Sequence, residues 1–161
     1  MTDESVLEGK KILIVDDEPD ILETLEELLD MCVIFKATSF EEAKELIETL
    51  SLDMAILDIM GVGGYDLLRI ANEKKIVTVM LTAHALSPED TVKSFKEGAA
   101  SYVPKDKIAH IMTFLADVIA AEEKGKHVRW RWIKRLGAYY DRTFGPDWKK
   151  NDEKFWEKFA K

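Results

Sequence analysis

Five short apolar runs recur along the first 120 residues of this chain, and they restrict its fold more than any other feature. The runs are continuous rather than alternating, which is typical of strands that are buried on both faces of a parallel sheet. They are Lys11–Val15, Val33–Ala37, Asp53–Met60, Ile76–Leu81 and Ala100–Val103.

Amphipathic segments follow the runs and predict helices. Apolar residues recur at three- and four-residue spacing over Asp20–Met31, Ser39 and Glu42 fit a capping box, and Ser87 precedes Pro88 as an N-cap precedes the first helical position. Five strands alternating with five helices predict an α/β fold, a doubly wound five-stranded parallel sheet with helices on both faces.

Polar side chains stand where four of the five strands end. Asp16 and Asp17 follow the first strand, Asp58 ends the third, Thr82 follows the fourth and Lys105 comes after the fifth. Each residue alone could be a helix-terminal acid, a cap or a surface charge. Because ligands bind at the carboxyl edge of open parallel sheets, their joint position predicts a functional site, provided that the strand order is 2-1-3-4-5.

The residue types at this edge suit phosphoryl transfer. Three carboxylates repel one another unless a cation intervenes, and Mg²⁺ prefers oxygen ligands. An aspartate can accept a phosphoryl group covalently, so Asp58 is the candidate acceptor. The Lys105 ammonium would neutralise the transferring group, and the Thr82 hydroxyl would hydrogen-bond one of its oxygens.

At this point the sequence resembles a known family, the receiver domain of two-component response regulators, which has a CheY-like fold. The resemblance covers residues 9–121 and leaves residues 1–8 as a flexible N-terminus and residues 122–161 as a helical extension. It rests on Asp16-Asp17, Asp58, Thr82-Ala83, Tyr102 and Lys105.

The resemblance implies a role for each of these residues. Asp58 would take a phosphoryl group from a sensor histidine kinase or phosphotransfer protein. Asp17 and Asp58 would ligate Mg²⁺, Asp16 would hold a metal-bound water, and the backbone carbonyl of Met60 would complete the metal site. Thr82 would then move toward the phosphoryl group.

The resemblance also implies how the signal leaves the site. Tyr102 would change rotamer together with Thr82, and the face formed by helix 4, strand 5 and helix 5 would host a homodimer or an output protein. The chain would be a signalling switch and not an enzyme, apart from self-catalysed phosphotransfer and autodephosphorylation. A pseudo-receiver adaptor and an aspartyl-phosphate phosphohydrolase stay open as alternatives.

The chain departs from the family pattern in three places. The loop from Asp58 to Gly64 is about two residues shorter than usual and lacks its proline, so its glycines are expected to permit the turn. Asp106 replaces the usual proline after Lys105, which predicts a trans peptide bond. Apolar Met60 and the residue His84 occupy the positions that tune phosphoryl lifetime, and Met60 predicts slow self-dephosphorylation.

The extension differs from the rest of the chain in composition. Residues 1–121 hold 11 Lys+Arg against 24 Asp+Glu, whereas residues 122–161 hold 12 against 7 and all four tryptophans. So much aromatic surface must pack on the receiver, pair with a second copy or bind another partner. A helix ending at Gly145-Pro146 is predicted. One apolar face is formed by Trp130, Ile133, Gly137, Tyr140 and Phe144, with Trp132, Leu136 and Tyr139 beside it.

Bulk features exclude several classes of protein. Cys32 is the single cysteine, so no internal disulfide framework exists, and neither a signal-peptide pattern nor an apolar run of membrane-spanning length occurs. A cytoplasmic location is expected. The acidic body argues against nucleic acid, and binding to a membrane surface is a minor alternative for the basic, aromatic extension.

Overall fold

The structure is a computed structural model that describes residues 4–83, 87–123 and 129–159. Five strands alternate with helices, as predicted, and two further helices follow. The strands are β1 Lys11–Val15, β2 Val33–Ala37, β3 Met54–Asp58, β4 Val77–Thr82 and β5 Ser101–Pro104. The α-helices are α1 Pro19–Leu28, α2 Phe40–Thr49, α3 Gly64–Glu73, α4 Pro88–Lys96, α5 Ile111–Glu123, α6 Arg129–Phe144 and α7 Glu153–Phe159. Short 3-10 helices cover Glu4–Leu7, Lys105–His110 and Trp148–Asp152.

The sheet is parallel with the order β2-β1-β3-β4-β5, which confirms the predicted topology. All five residues of the central strand β3 are buried, as its continuous apolar run requires. Asp58 lies opposite Leu81, and Thr82 lies opposite Pro104 in the register of β4 and β5. The strand ends that carry polar groups are therefore neighbours at one edge.

Two helix starts follow the predicted capping chemistry. The Ser39 hydroxyl accepts a hydrogen bond from the Glu42 amide at 3.3 Å, and its own proton is donated to the Glu42 carboxylate at 3.2 Å. At α4, the Ser87 hydroxyl accepts from the Asp90 amide at 3.2 Å, with Pro88 in the first turn. Both caps fix where the chain turns back along the sheet.

The N-terminal segment differs from the flexible arm that the sequence suggested. Residues 4–7 form a 3-10 helix that packs on α5, and Leu7 is fully buried in the core. Thr113 on α5 donates a hydrogen bond to the Glu4 carboxylate at 3.2 Å. Burial of Leu7 holds this segment because an exposed leucine would forgo its hydrophobic free energy.

The extension folds back onto the receiver, and its aromatic side chains Trp132, Tyr140, Trp148 and Trp156 are buried there. The helix ends at Phe144, and Gly145 adopts a φ of +86°, as a glycine terminator predicts. Within the predicted apolar face, Tyr140 is fully buried, and Ile133 and Phe144 are partly buried against the core. The other two fully buried side chains in the described part of α6 are Trp132 and Leu136, which lie beside that face. The Trp130 side chain and residues 124–128 lie outside the described side chains. None of the described helices combines the length and the apolar character that a membrane span requires.

Candidate functional site

Four chain segments bring the five predicted site residues together at the carboxyl edge of the sheet. Asp16 and Asp58 are almost wholly buried, and Thr82 retains 6% of its surface. Lys105 begins the 3-10 helix after β5, and only 10% of its side chain is exposed. Buried charges at this density require mutual pairing, and the geometry supplies part of it.

The Lys105 ammonium lies among three carboxylates. Its Nζ is 2.9 Å from Asp16 Oδ2, 3.0 Å from Glu18 Oε1 and 3.7 Å from Asp58 Oδ1. One positive charge therefore serves the whole acidic group. An ammonium in this place can neutralise an anionic group that arrives at Asp58.

The electrostatics of the pocket leave Asp58 short of counter-charge. The pKa of Asp58 is raised from 3.8 to about 6, first by burial and next by the nearby Asp16 carboxylate, while Asp17 and Glu18 raise it less. Lys105 lowers the pKa but does not cancel these effects. Burial also raises the pKa of Asp16, although Lys105 and the Glu18 amide oppose that shift. The pocket therefore favours an additional cation.

The donor set of the pocket fits a divalent metal ion of the Mg²⁺ kind. Carboxylate oxygens of Asp16, Asp17 and Glu18 lie within 4.8 Å of one another. Asp16 Oδ2 is buried 2.9 Å from the Lys105 ammonium, and no further hydrogen bond from a described residue reaches it. These are hard oxygen ligands with unused lone pairs, as Mg²⁺ requires.

Two differences from the predicted ligand set are evident. Glu18 joins the acidic group although the prediction omitted it, and the contiguous sequence Asp16-Asp17-Glu18 was the signal for it. Asp58 lies outside this group, with the Lys105 ammonium between it and Asp16. Met60 lies in the turn after β3, and 72% of its surface is exposed. The role of its backbone carbonyl as a metal ligand stays a prediction.

The short loop after Asp58 depends on its glycines, as predicted. Gly61 has a φ of +86°, and a Cβ there would lie 2.5 Å from Asp17 Oδ2. Gly64 has an ordinary φ, but a Cβ there would lie 2.3 Å from the Asp58 carbonyl oxygen. Glycine thus lets the shortened backbone lie directly against both acids.

The remaining site predictions have mixed outcomes. The described part of the chain contains no cis peptide bond, so the bond between Lys105 and Asp106 is trans, as predicted. Tyr102 is fully buried in β5, three residues before Lys105. The position of His84 lies outside the described residues. Sequence reasoning did not foresee that Trp132 of the extension would contact Tyr102.

Comparisons with known proteins agree with this geometry. The family model described as "Response regulator receiver domain" matches residues 12–116. The regulatory protein VanR of Enterococcus faecium is 32% identical over 99 residues, which are 59% of this chain and 43% of the relative. The nitrate/nitrite response regulator protein NarL of Escherichia coli K12 is 32% identical over 109 residues, 62% of this chain and 49% of the relative. The chain thus spans less than half the length of either relative.

A solved structure supports the same assignment at the level of the fold. The receiver domain protein (CheY-like) from Methanospirillum hungatei JF-1 superposes with a TM-score of 0.65 at 25% identity. The match covers 73% of this chain and 98% of that one, so the extension falls outside most of it. The sheet order, the acidic edge and the matched residues together show that this chain belongs to the response regulator receiver domain family.

Proposed function

We propose that Asp58 accepts a phosphoryl group from a sensor histidine kinase or phosphotransfer protein in a Mg²⁺-dependent reaction. One observation carries the proposal: the Asp58 carboxylate is buried at the end of the central strand, beside an acidic group and 3.7 Å from the Lys105 ammonium. Family membership supports the reaction class.

The chemistry follows from these residues. A carboxylate oxygen of Asp58 attacks phosphorus while the bond from phosphorus to the donor imidazole nitrogen breaks, and the bonding electrons leave with that nitrogen. The Lys105 ammonium pairs with the negatively charged phosphoryl oxygens, and the Thr82 hydroxyl donates a hydrogen bond to one of them. A Mg²⁺ ion held by Asp16 and Asp17 would supply further neutralisation of the phosphoryl oxygens.

The raised pKa of Asp58 bears on its reactivity. A carboxylate with a pKa of about 6 is more basic than an ordinary aspartate. It is still mostly ionised at neutral pH, so the attacking form is available. The same shortage of positive charge that raises this pKa favours binding of the metal ion.

Mass spectrometry with acetyl phosphate and Mg²⁺ tests the proposal. The chain should gain the mass of one phosphoryl group, and Asp58→Asn should gain none. Asp53→Asn is the matched control, because Asp53 precedes the opposite end of β3 and accepts a hydrogen bond from the Lys11 amide outside the site. No mass gain in the unmodified chain, or equal gain in Asp58→Asn, would refute the assignment.

The environment of the acceptor also predicts the lifetime of the phosphoryl group. The Met60 side chain, two residues after Asp58, is exposed and cannot hold or activate an attacking water. We expect slow self-dephosphorylation, and Met60→Gln should shorten the lifetime. Loss of the label from the unmodified chain is followed by mass spectrometry, and complete loss within seconds would contradict the expectation.

We further propose that the output is protein–protein contact through the face formed by α4, β5 and α5 together with the extension. The family uses partners of this kind, and the extension covers this face. Size measurement with and without beryllofluoride, a phosphoryl mimic, tests whether a second copy is the partner. An unchanged size on beryllofluoride binding would rule out a second copy as the partner.

A further inference from the structure

Helix α6 of the extension contacts all three elements of one receiver face, here called the docking face and represented by Thr91 of α4, Tyr102 of β5 and Asp117 of α5. The indole nitrogen of Trp132 donates a hydrogen bond to the Tyr102 carbonyl oxygen at 2.8 Å. The ring centroids of these two residues are 6.4 Å apart. Trp132 is 1% exposed, so this contact is dry.

Tyr140 connects α4 to β5 through hydroxyl groups. Its hydroxyl is 2.5 Å from the Thr91 hydroxyl, and Thr91 donates its single proton to the Ser87 carbonyl at 3.0 Å. Tyr140 must therefore donate to Thr91. Tyr102 also hydrogen-bonds the Tyr140 side chain, and burial raises the pKa of Tyr140 strongly. Hydrogen bonds therefore connect Tyr102 through Tyr140 and Thr91 to Ser87, the N-cap of α4.

Arg135 anchors the same helix to α5. Its Nε is 2.5 Å from Asp117 Oδ2, and its second guanidinium nitrogen is 3.1 Å from Asp117 Oδ1. The Asp117 side chain is 2% exposed, so this bidentate pair is far stronger than a surface ion pair. Three independent anchors thus hold α6 on the docking face.

The distal part of the extension also packs on α4. Trp148 and Trp156 are buried, and they line a groove of about 660 Å³ together with Val92 and Lys93 of α4, among others. The ion pair between Lys96 and Asp152 is 3.4 Å long and exposed on both sides. Such a pair contributes little, so the strong polar contacts of the extension with the docking face are the ones described above for α6.

We propose that the extension is a built-in occupant of the docking face and that phosphorylation at Asp58 weakens its docking. The inference rests on the proposed function. The rotamer change of Tyr102 that the resemblance implies would break its hydrogen bond to Tyr140 and would disturb the carbonyl that Trp132 binds. Undocking then exposes the docking face together with the aromatic side of α6. By thermodynamic reciprocity, a docked extension must weaken binding of the phosphoryl group or its mimic.

Tryptophan fluorescence of the full chain tests the coupling. All four tryptophans lie in the extension, and Trp132, Trp148 and Trp156 are buried, so their emission reports on docking without interference from the receiver. Beryllofluoride with Mg²⁺ should shift this emission to longer wavelength and increase quenching by acrylamide. Tyr140→Phe, which keeps the ring and removes the hydroxyl, should raise the calorimetric affinity for beryllofluoride by roughly fivefold or more.

Tyr65→Phe is the matched control, because its hydroxyl contacts Ser94 on α4 at 3.0 Å and does not touch the extension. It should leave the affinity unchanged. If beryllofluoride binds but the emission does not move, and Tyr140→Phe binds it as the unmodified chain does, the coupling is refuted while the proposed function stands. If neither beryllofluoride binding nor phosphorylation occurs, the proposed function fails and the coupling fails with it.

Discussion

Removing the charge of Asp58 should stabilise the protein when no metal ion is present. The pKa of Asp58 is raised from 3.8 to about 6, so the folded state disfavours the ionised carboxylate. The stability that this group contributes is complete below pH 4 and is lost as the pH rises to about 6. A shift of about two pKa units corresponds to about 3 kcal/mol. Asp58→Asn keeps the shape of the side chain and removes its charge, so above pH 6 it should raise the free energy of unfolding by up to about 3 kcal/mol.

Urea unfolding in the presence of a chelator measures this effect. At pH 8 the free energy of unfolding of Asp58→Asn should exceed that of the unmodified chain by up to about 3 kcal/mol, and its melting temperature should be roughly 6–12 °C higher. At pH 4 the difference should fall to about 0.5 kcal/mol, since the carboxyl is then neutral in the folded state and partly ionised in the unfolded state, and it should vanish only well below pH 3.8. Added Mg²⁺ should stabilise the unmodified chain more than the variant. A variant that is less stable at pH 8, or a difference that is independent of pH, would refute the electrostatic reasoning.

Two further predictions concern the loop and the extension. Gly61→Ala should weaken Mg²⁺ binding and lower the free energy of unfolding more than Gly9→Ala does. Both glycines have a positive φ, but of the two only Gly61 lies against a site carboxylate. Calorimetric Mg²⁺ titration and urea unfolding measure the two effects, and equal effects in the two variants would contradict the prediction. Arg135→Gln should cost about 1–3 kcal/mol by leaving Asp117 without its guanidinium partner, whereas Lys96→Gln, at an exposed pair, should cost under about 0.5 kcal/mol. Equal costs in thermal unfolding would show that the Arg135 pair is not an anchor.

The sheet and the residues at its edge could be predicted because both depend on local sequence. A buried parallel strand needs a continuous apolar run, and its last residue marks the carboxyl edge regardless of what packs around it. Asp58, Thr82 and Lys105 could therefore be placed by counting along the chain, and the structure brings them to neighbouring strand ends. Their chemical roles stay predictions, because position alone does not show reaction.

The packing of the extension could not be predicted in the same way. The spacing of Trp132, Leu136 and Tyr140 is as helical as that of the predicted face, so periodicity alone could not tell which of these side chains are buried most deeply. That choice depends on the Tyr102 carbonyl and the Asp117 carboxylate, which are distant in sequence. Leu7 was missed for the same reason, since its burial needs a surface on α5 that appears only after folding.

The extension also holds the segment around Lys105 on both sides, which bears on how the acidic pocket and α6 communicate. Before Lys105, the Tyr102 carbonyl accepts from Trp132; after it, the Asp106 carboxylate accepts from the Tyr139 hydroxyl at 3.0 Å. Lys105 pairs with the carboxylates at the sheet edge, so a move of Lys105 toward a phosphoryl group on Asp58 would also shift the backbone on either side of it. The hydrogen bonds from Trp132 and Tyr139 to that backbone segment and to Asp106 depend on distance and angle, so a small shift would weaken them. The proposed coupling between Asp58 and the extension would therefore use this short segment of backbone as well as the Tyr102 side chain.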